Sequence, residues 1–254
     1  MAAGLQIAWK RAGRGVLDFL YPPLCIGCRA LVAEPGSLCA ACWQEVEFLD
    51  GPACICCGLP FDLDPGPDTR CAACIAEPPE FDRARAVMRY DDASRGPILA
   101  LKHADRLDLV PGFARWLDRA GRALLDDIEV IVPVPLHASR LWVRRYNQSS
   151  ELARVLGRQS GKAVAPLALV RVRATPSQGE MPSAKARRRN MRGAFQVPPG
   201  KRAAVEGKAV MLIDDVLTTG ATVEACARAL KRAGAAKVHV LALARVVRPL
   251  TSPI

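Results

Sequence analysis

The chain predicts an α/β fold built on a central, mainly parallel sheet, preceded by a small cysteine-rich unit held together by metal. Three observations lead there. Beyond residue 80, apolar strand-like runs alternate with segments of helical period. Nine of the ten cysteines lie between Cys25 and Cys74. The 254 residues are 50% hydrophobic, enough to bury a full core in one or two domains.

Taken in order, residues 1–21 carry Leu5, Ile7, Ala8, Val16 and Phe19 at the spacing of a short amphipathic helix packed on the body. They lack the compact apolar region and small-residue cleavage site of an export signal. Residues 22–76 are rich in Cys, Gly and Pro and poor in long periodic patterns. The stiff segment Glu77-Pro78-Pro79 separates them from a second domain over 80–247.

In that second domain, strands are expected at Ala84–Tyr90, Val130–Pro135, Leu167–Val172, Ala194–Val197, Ala209–Ile213 and Val238–Ala244. Helices are expected at Arg95–His103, Leu107–Leu125, Ser149–Gln159 and Thr222–Arg232, the last ended by Gly234. Thr175–Arg192 reads as a polar, basic loop. No run approaches the roughly 18 apolar residues of a membrane span, so a soluble protein is expected. The net charge of +11, from 36 Lys+Arg against 25 Asp+Glu, favours polyanions: phosphorylated small molecules, RNA or DNA.

The cysteines form four Cys-x2-Cys knuckles: Cys25 with Cys28, Cys39 with Cys42, Cys54 with Cys57, and Cys71 with Cys74. Each knuckle presents two thiolates to one tetrahedral ion, and two knuckles complete a closed site with no position left for water. Two structural Zn2+ ions are therefore expected, with disulfides or an iron–sulfur cluster as the alternatives. Spacing leaves open whether the ligands are shared sequentially, as 25/28/39/42 and 54/57/71/74, or interleaved. Clustered thiols without an export signal point to a reducing, cytoplasmic setting. Cys56 is the spare, and Cys226 reads as an ordinary buried thiol of its helix.

The most informative stretch is Val210-Met211-Leu212-Ile213-Asp214-Asp215-Val216-Leu217-Thr218-Thr219-Gly220-Ala221-Thr222. A buried strand ends in two carboxylates, and a small-residue turn then opens a helix. Ligands of open α/β sheets bind at that edge. The turn Thr218–Thr222 can wrap a phosphate with amides, hydroxyls and the positive end of the helix, and Gly220 permits close approach. Adjacent Asp214 and Asp215 call for a hydrogen-bond donor such as a ribose diol, and both are expected on a solvent-facing rim. The bland alternative is an acidic cap before a surface helix.

This segment resembles the phosphoribosyl-pyrophosphate signature of type I phosphoribosyltransferases. Joined to the cysteine-rich segment, the chain resembles the ComF family of competence-associated proteins, which includes GntX-like proteins, over roughly residues 20–247. The resemblance implies the type I phosphoribosyltransferase fold, a double zinc ribbon and an association with DNA uptake. It implies phosphoribosyl pyrophosphate and Mg2+ as ligands, with Asp214 and Asp215 on the ribose and Val216, Leu217, Thr218, Thr219, Gly220, Ala221 and Thr222 around the 5-phosphate. Pro135, Leu136 and His137 would form the pyrophosphate loop, followed by an Arg-Gly-Phe-Asn-Gln element matched by Arg144, Arg145, Tyr146, Asn147 and Gln148. Arg145 stands where glycine is usual. Leu101-Lys102 resembles a Leu-Lys element of the family. Gln178, Arg187, Arg188 and Arg189 resemble its flexible loop. The three arginines also suit a single-stranded DNA backbone, although aromatics make up only 5% of the chain and no stacking platform lies near them. Three classes follow: a phosphoribosyltransferase of unknown acceptor, a non-catalytic sensor that keeps the nucleotide site, and a zinc-ribbon factor acting with single-stranded DNA or DNA-uptake proteins.

Overall fold

The computed structural model describes residues 22–103, 106–174 and 189–247. The helix expected over 1–21, and Gln178, Arg187 and Arg188 of the basic loop, lie outside the described residues.

Two short helices, α1 (Ala40–Glu45) and α2 (Ala72–Ala76), belong to the cysteine-rich unit. The second domain then runs β1 (Arg83–Arg89), α3 (Asp92–His103), α4 (Val110–Leu125), β2 (Val130–Pro133), α5 (Ala138–Arg144), α6 (Gln148–Ser160), β3 (Ala163–Val164), β4 (Val170–Arg171), β5 (Phe195–Gln196), β6 (Ala209–Leu217), α7 (Ala221–Arg232) and β7 (Lys237–Arg245). Five strands form one parallel sheet in the order β1-β7-β6-β2-β3, while β4 and β5 pair antiparallel as a separate ribbon.

Several expected elements change shape for local reasons. The helix expected from Leu107 opens as a 3-10 turn over Leu107–Leu109, and α4 proper starts at Val110 with Pro111 in its first turn, where the missing N–H costs nothing. The strand expected at Leu167–Val172 shrinks to the two residues of β4, because only they find a partner, in β5. Strand β6 continues past Ile213 to Leu217, since its pairing with β7 runs on through Val216 opposite Ala244 and Leu217 opposite Arg245. Helix α5 stands where no element was expected. Its Leu141, Trp142 and Val143 are all exposed, so it carries no apolar stripe for a periodicity argument to find.

The two sheet faces carry different layers. Phe113, Leu117, Leu152 and Leu156 of α4 and α6 pack on one face with Met211 and Ile213. Val223, Cys226 and Leu230 of α7 pack on the other with Val210, Leu212 and Val240. The helices that follow neighbouring strands β2 and β6 therefore leave on opposite faces, which opens a crevice between the C-terminal ends of those strands. Val134 N donates to Ile213 O across that boundary at 2.9 Å, placing Pro135 beside the Asp214-Asp215 pair.

The cysteine-rich unit covers the exposed edge of β1. Leu49 N donates to Val87 O, Arg89 N to Glu47 O and Ala84 N to Cys56 O, satisfying backbone groups that an open edge would leave for another chain. Trp43 and Phe48 stack with Trp116 of α4, with ring centroids 4.6–6.4 Å apart. Gly58 fixes the closest approach: a Cβ there would lie 2.5 Å from Ala84 O, and its φ of +70° is one that other residues avoid.

Candidate functional site

The eight paired cysteines gather into two sets, Cys25/Cys28/Cys39/Cys42 and Cys54/Cys57/Cys71/Cys74, with all four sulfurs of each set within 4.8 Å of one another. The sequential assignment is the one adopted. Cys28 and Cys39 sulfurs lie 3.6 Å apart, and Cys57 and Cys71 sulfurs 3.7 Å apart. Four thiolates about 2.3 Å from one zinc sit about 3.8 Å from each other, so the donor set fits tetrahedral Zn2+. Backbone amides point at the sulfurs, with Cys39 N 3.2 Å from Cys25 Sγ and Cys71 N 3.3 Å from Cys54 Sγ. Burial raises Cys25 and Cys54, but these amides outweigh it and bring each thiol down to about 6. Burial, and for Cys74 the charge of Cys57, pushes Cys57 up to about 11 and Cys74 further. A divalent cation bound by each set would favour the thiolate form of all four of its cysteines. Cys56 is buried beside the second set, and its carbonyl rather than its thiol makes the contact with β1.

At the crevice, the two carboxylates differ. Alternation along β6 turns Asp215 to the α6 face, where it is 8% exposed. Lys102 Nζ of α3 lies 3.0 Å from Asp215 Oδ1, and Gln148 Nε2 at the start of α6 lies 2.5 Å from Oδ2. The expectation that both groups line a solvent-facing rim fails for Asp215, because a carboxylate on this face of a central strand is covered by two helices and needs a cation. Asp214 faces the α7 side above Cys226. Burial first, and the charge of Asp215 next, push it up to about 8, while Lys102 and Arg171 pull the other way.

Thr218–Thr222 leaves β6 and enters α7 through Gly220, whose φ is +80° and which caps the helix with no side chain. Gly220 thus brings no side-chain acceptor to the first turn of α7. Thr219 Oγ1 is buried without a partner, and a small hollow is lined by Asp214, Thr218, Gly220 and Thr222. Val216 and Leu217 belong to the strand and Ala221 is buried as the first residue of α7.

Pro135, Leu136 and His137 are half-buried at the neighbouring strand end, and His137 caps α5 by accepting from Ser139 N. Arg144 ends that helix. Arg145 follows with φ +64°, the left-handed C-cap conformation in which a side chain is strained. Glycine suits such a position because it enters the left-handed region without strain. Tyr146 Oη donates to Leu101 O, Asn147 Nδ2 donates to Val134 O at 3.0 Å, and Asn147 Oδ1 accepts from Ser149 N at 3.1 Å. Asn147 and Gln148 therefore hold β2, α6 and Asp215 together from behind. Their side chains buttress the loop instead of lining it.

Arg140, Arg171 and Arg173 had no role in the sequence reading. Arg171, in the segment read as a plain strand, bridges to His137 and stacks over Phe195 at 5.5 Å. Burial first, then the like charge of Arg140, lowers it from its ordinary value, and Asp214 opposes them. Only the fold brings Arg140 of α5, Arg171 and Asp214 together. Arg173 ties the ends of the basic loop by donating to Asn190 O and Arg192 O, both at 2.7 Å. Arg189 is exposed just beyond.

Comparison with known proteins matches the double zinc ribbon domain over residues 16–76 and the phosphoribosyl transferase domain over 149–249. The chain is 34% identical over 235 residues to the DNA utilization protein YhgH of Salmonella typhi, covering 89% of this chain and 98% of that protein. It is 30% identical over 227 residues to competence protein F of Haemophilus influenzae, covering 87% and 96%. The chain belongs to the ComF family. Competence protein ComFC of Bacillus subtilis is a more distant relative, 26% identical over 223 residues, covering 85% and 87%. This ComF protein has the type I phosphoribosyltransferase fold, with its five-stranded parallel sheet, behind a double zinc ribbon. Among the described residues no helix is long and apolar enough to cross a membrane.

Proposed function

We propose that this ComF protein binds phosphoribosyl pyrophosphate with Mg2+ and transfers the phosphoribosyl group to an acceptor, in the cytoplasm and in support of DNA uptake. One observation carries the reading: a carboxylate pair stands beside a helix start with uncapped amides and an unpartnered buried threonine hydroxyl, at the crevice between β6 and β2. The turn takes the 5-phosphate, and Asp214 and Asp215 take the ribose hydroxyls. Arg140 and Arg171, with Pro135–His137, face the pyrophosphate. Bound Mg2+ supplies charge neutralisation of the departing pyrophosphate. As the bond from C1 to pyrophosphate breaks and one to the acceptor forms, positive charge gathers on the ribose ring, which the nearby carboxylates favour. Arg189, with Arg187 and Arg188, adds cationic charge for the leaving group.

Isothermal titration of the zinc-loaded protein with phosphoribosyl pyrophosphate and Mg2+ tests this. Asp214→Asn is expected to lower affinity at pH 9 by about 1–2 kcal/mol, through lost charge-assisted hydrogen bonds. No heat from the wild-type protein, or unchanged affinity in the variant at that pH, overturns the assignment.

A second reading, single-stranded DNA binding, is favoured by helix α5. Trp142 is 87% exposed there, flanked in sequence by Arg140, Arg144 and Arg145. An exposed indole among guanidinium groups of its own helix would offer a base a stacking platform. Trp142→Ala is expected to weaken oligothymidylate binding by about 1–3 kcal/mol while leaving phosphoribosyl pyrophosphate affinity unchanged. Equal DNA affinity across salt concentrations removes the platform.

A further inference from the structure

The second cysteine set and the phosphate turn share one cavity of about 300 Å3, walled by Ala73, Cys74 and Glu77 on one side and Thr218, Thr219 and Gly220 on the other. Arg245 spans the two walls. It ends β7 in register with Leu217, and Val246 N donates to Leu217 O at 2.9 Å, so the strand end from which the turn departs is pinned by the end of β7. Its side chain reaches the other way. Nη1 donates to the carbonyl of Cys57, and Nη2 lies 3.7 Å from Cys57 Sγ.

We propose that Arg245 is a positioning residue that makes metal binding at Cys54/Cys57/Cys71/Cys74 and anion binding at Thr218–Thr222 reinforce each other. A metal-bound Cys57 thiolate is an anion that holds the guanidinium, and the metal also holds α2 in place as the cavity wall. Without metal, a unit this small lacks a core of its own, so both the wall and the anchor of Arg245 are lost. The turn then loses its outer support, because Gly220 brings no side-chain cap of its own. Among the described residues the first set makes no such link: it borders α4, through Arg115 donating to Pro35 O at 3.1 Å. Linkage is reciprocal, so a ligand in the turn must also retain the metal.

The inference rests on phosphoribosyl pyrophosphate being the ligand of the turn, and its test separates the two. Zinc release from the full chain to a chromogenic chelator is timed with and without phosphoribosyl pyrophosphate and Mg2+, and binding is measured in the same samples by calorimetry. The ligand is expected to slow the loss of one of the two zinc ions about tenfold, within the usual span of coupling. In Arg245→Met, which should still hold two zinc ions, the protection is expected to fall below about twofold, and Arg245→Lys to restore part of it. Cys54→Ser should abolish the protected phase and weaken the ligand. Calorimetric binding without protection, or protection of both ions alike, or full protection in Arg245→Met, overturns the inference while sparing the ligand assignment. Absence of any binding heat overturns both.

Discussion

Replacing Asp215 by asparagine should destabilise the ligand-free protein, and the structure sets the size. Lys102 Nζ lies 3.0 Å from Asp215 Oδ1, with the side chains 18% and 11% exposed. At an effective dielectric constant of about 20 the gross attraction at that distance is about 5 kcal/mol, much of it offset by desolvation of both ions. What decides the variant is the ammonium left behind among α3, α6 and β6, together with a weakened bond from Gln148. Stranding one member of a wholly buried pair costs about 3–5 kcal/mol. The residual exposure and the amide that replaces the carboxylate reduce this to about 2 kcal/mol. Urea unfolding of zinc-loaded wild type, Asp215→Asn, Lys102→Met and the double variant at pH 7 gives the coupling directly. A coupling of about 1–2 kcal/mol is expected. A value under about 0.5 kcal/mol would refute the claim that this carboxylate is held by Lys102 rather than displayed to solvent.

Asp214 should behave in the opposite way. Its carboxyl is raised from 3.8 to about 8, so the stability it confers is full below its unfolded value and is lost as pH rises through 8. At about 1.36 kcal/mol per unit, even a third of that displacement leaves about 2 kcal/mol. Asp214→Asn should therefore raise the melting temperature at pH 8.5 and hardly change it at pH 5; a pH-independent effect would contradict it. Arg145→Gly should stabilise the fold by about 0.5–1 kcal/mol by relieving a left-handed residue, as measured by urea midpoint. Elemental analysis should find two zinc ions per chain at pH 7.5, one for each cysteine set. A reproducible value near one would show that one set does not hold zinc. Acidification should release the bound ions, because protons compete with the metal for the thiolates.

The parts of this molecule that were legible in its sequence are those whose chemistry is local. A Cys-x2-Cys knuckle works through two residues and the amides between them, so four of them disclosed both metal sets. Their partition was not legible, since it depends on which loops the edge of β1 brings together through Ala84, Val87 and Arg89. Strand β6 and the turn at Gly220 likewise form one continuous run, and the small hollow at that turn could be placed from that run alone. Lys102, Arg140 and Arg171 could not, because each lies far along the chain from Asp214 and Asp215, and only the crossing of layers at the β6–β2 boundary assembles them.

The same division explains where the reading of Asp215 went wrong. In sequence, two adjacent carboxylates look equivalent. In a strand, neighbours point to opposite faces, so the pair splits between two layers with different partners. Asp215 meets an ammonium and an amide, while Asp214 meets a buried thiol and the field of its neighbour. The site therefore holds one carboxylate anchored by Lys102 and Gln148, and one whose protonated form is favoured by burial and the neighbouring charge. The stability of the fold at neutral pH should therefore follow Asp215 through its ion pair, while its change with pH should follow Asp214, the carboxyl raised by burial and by its neighbour.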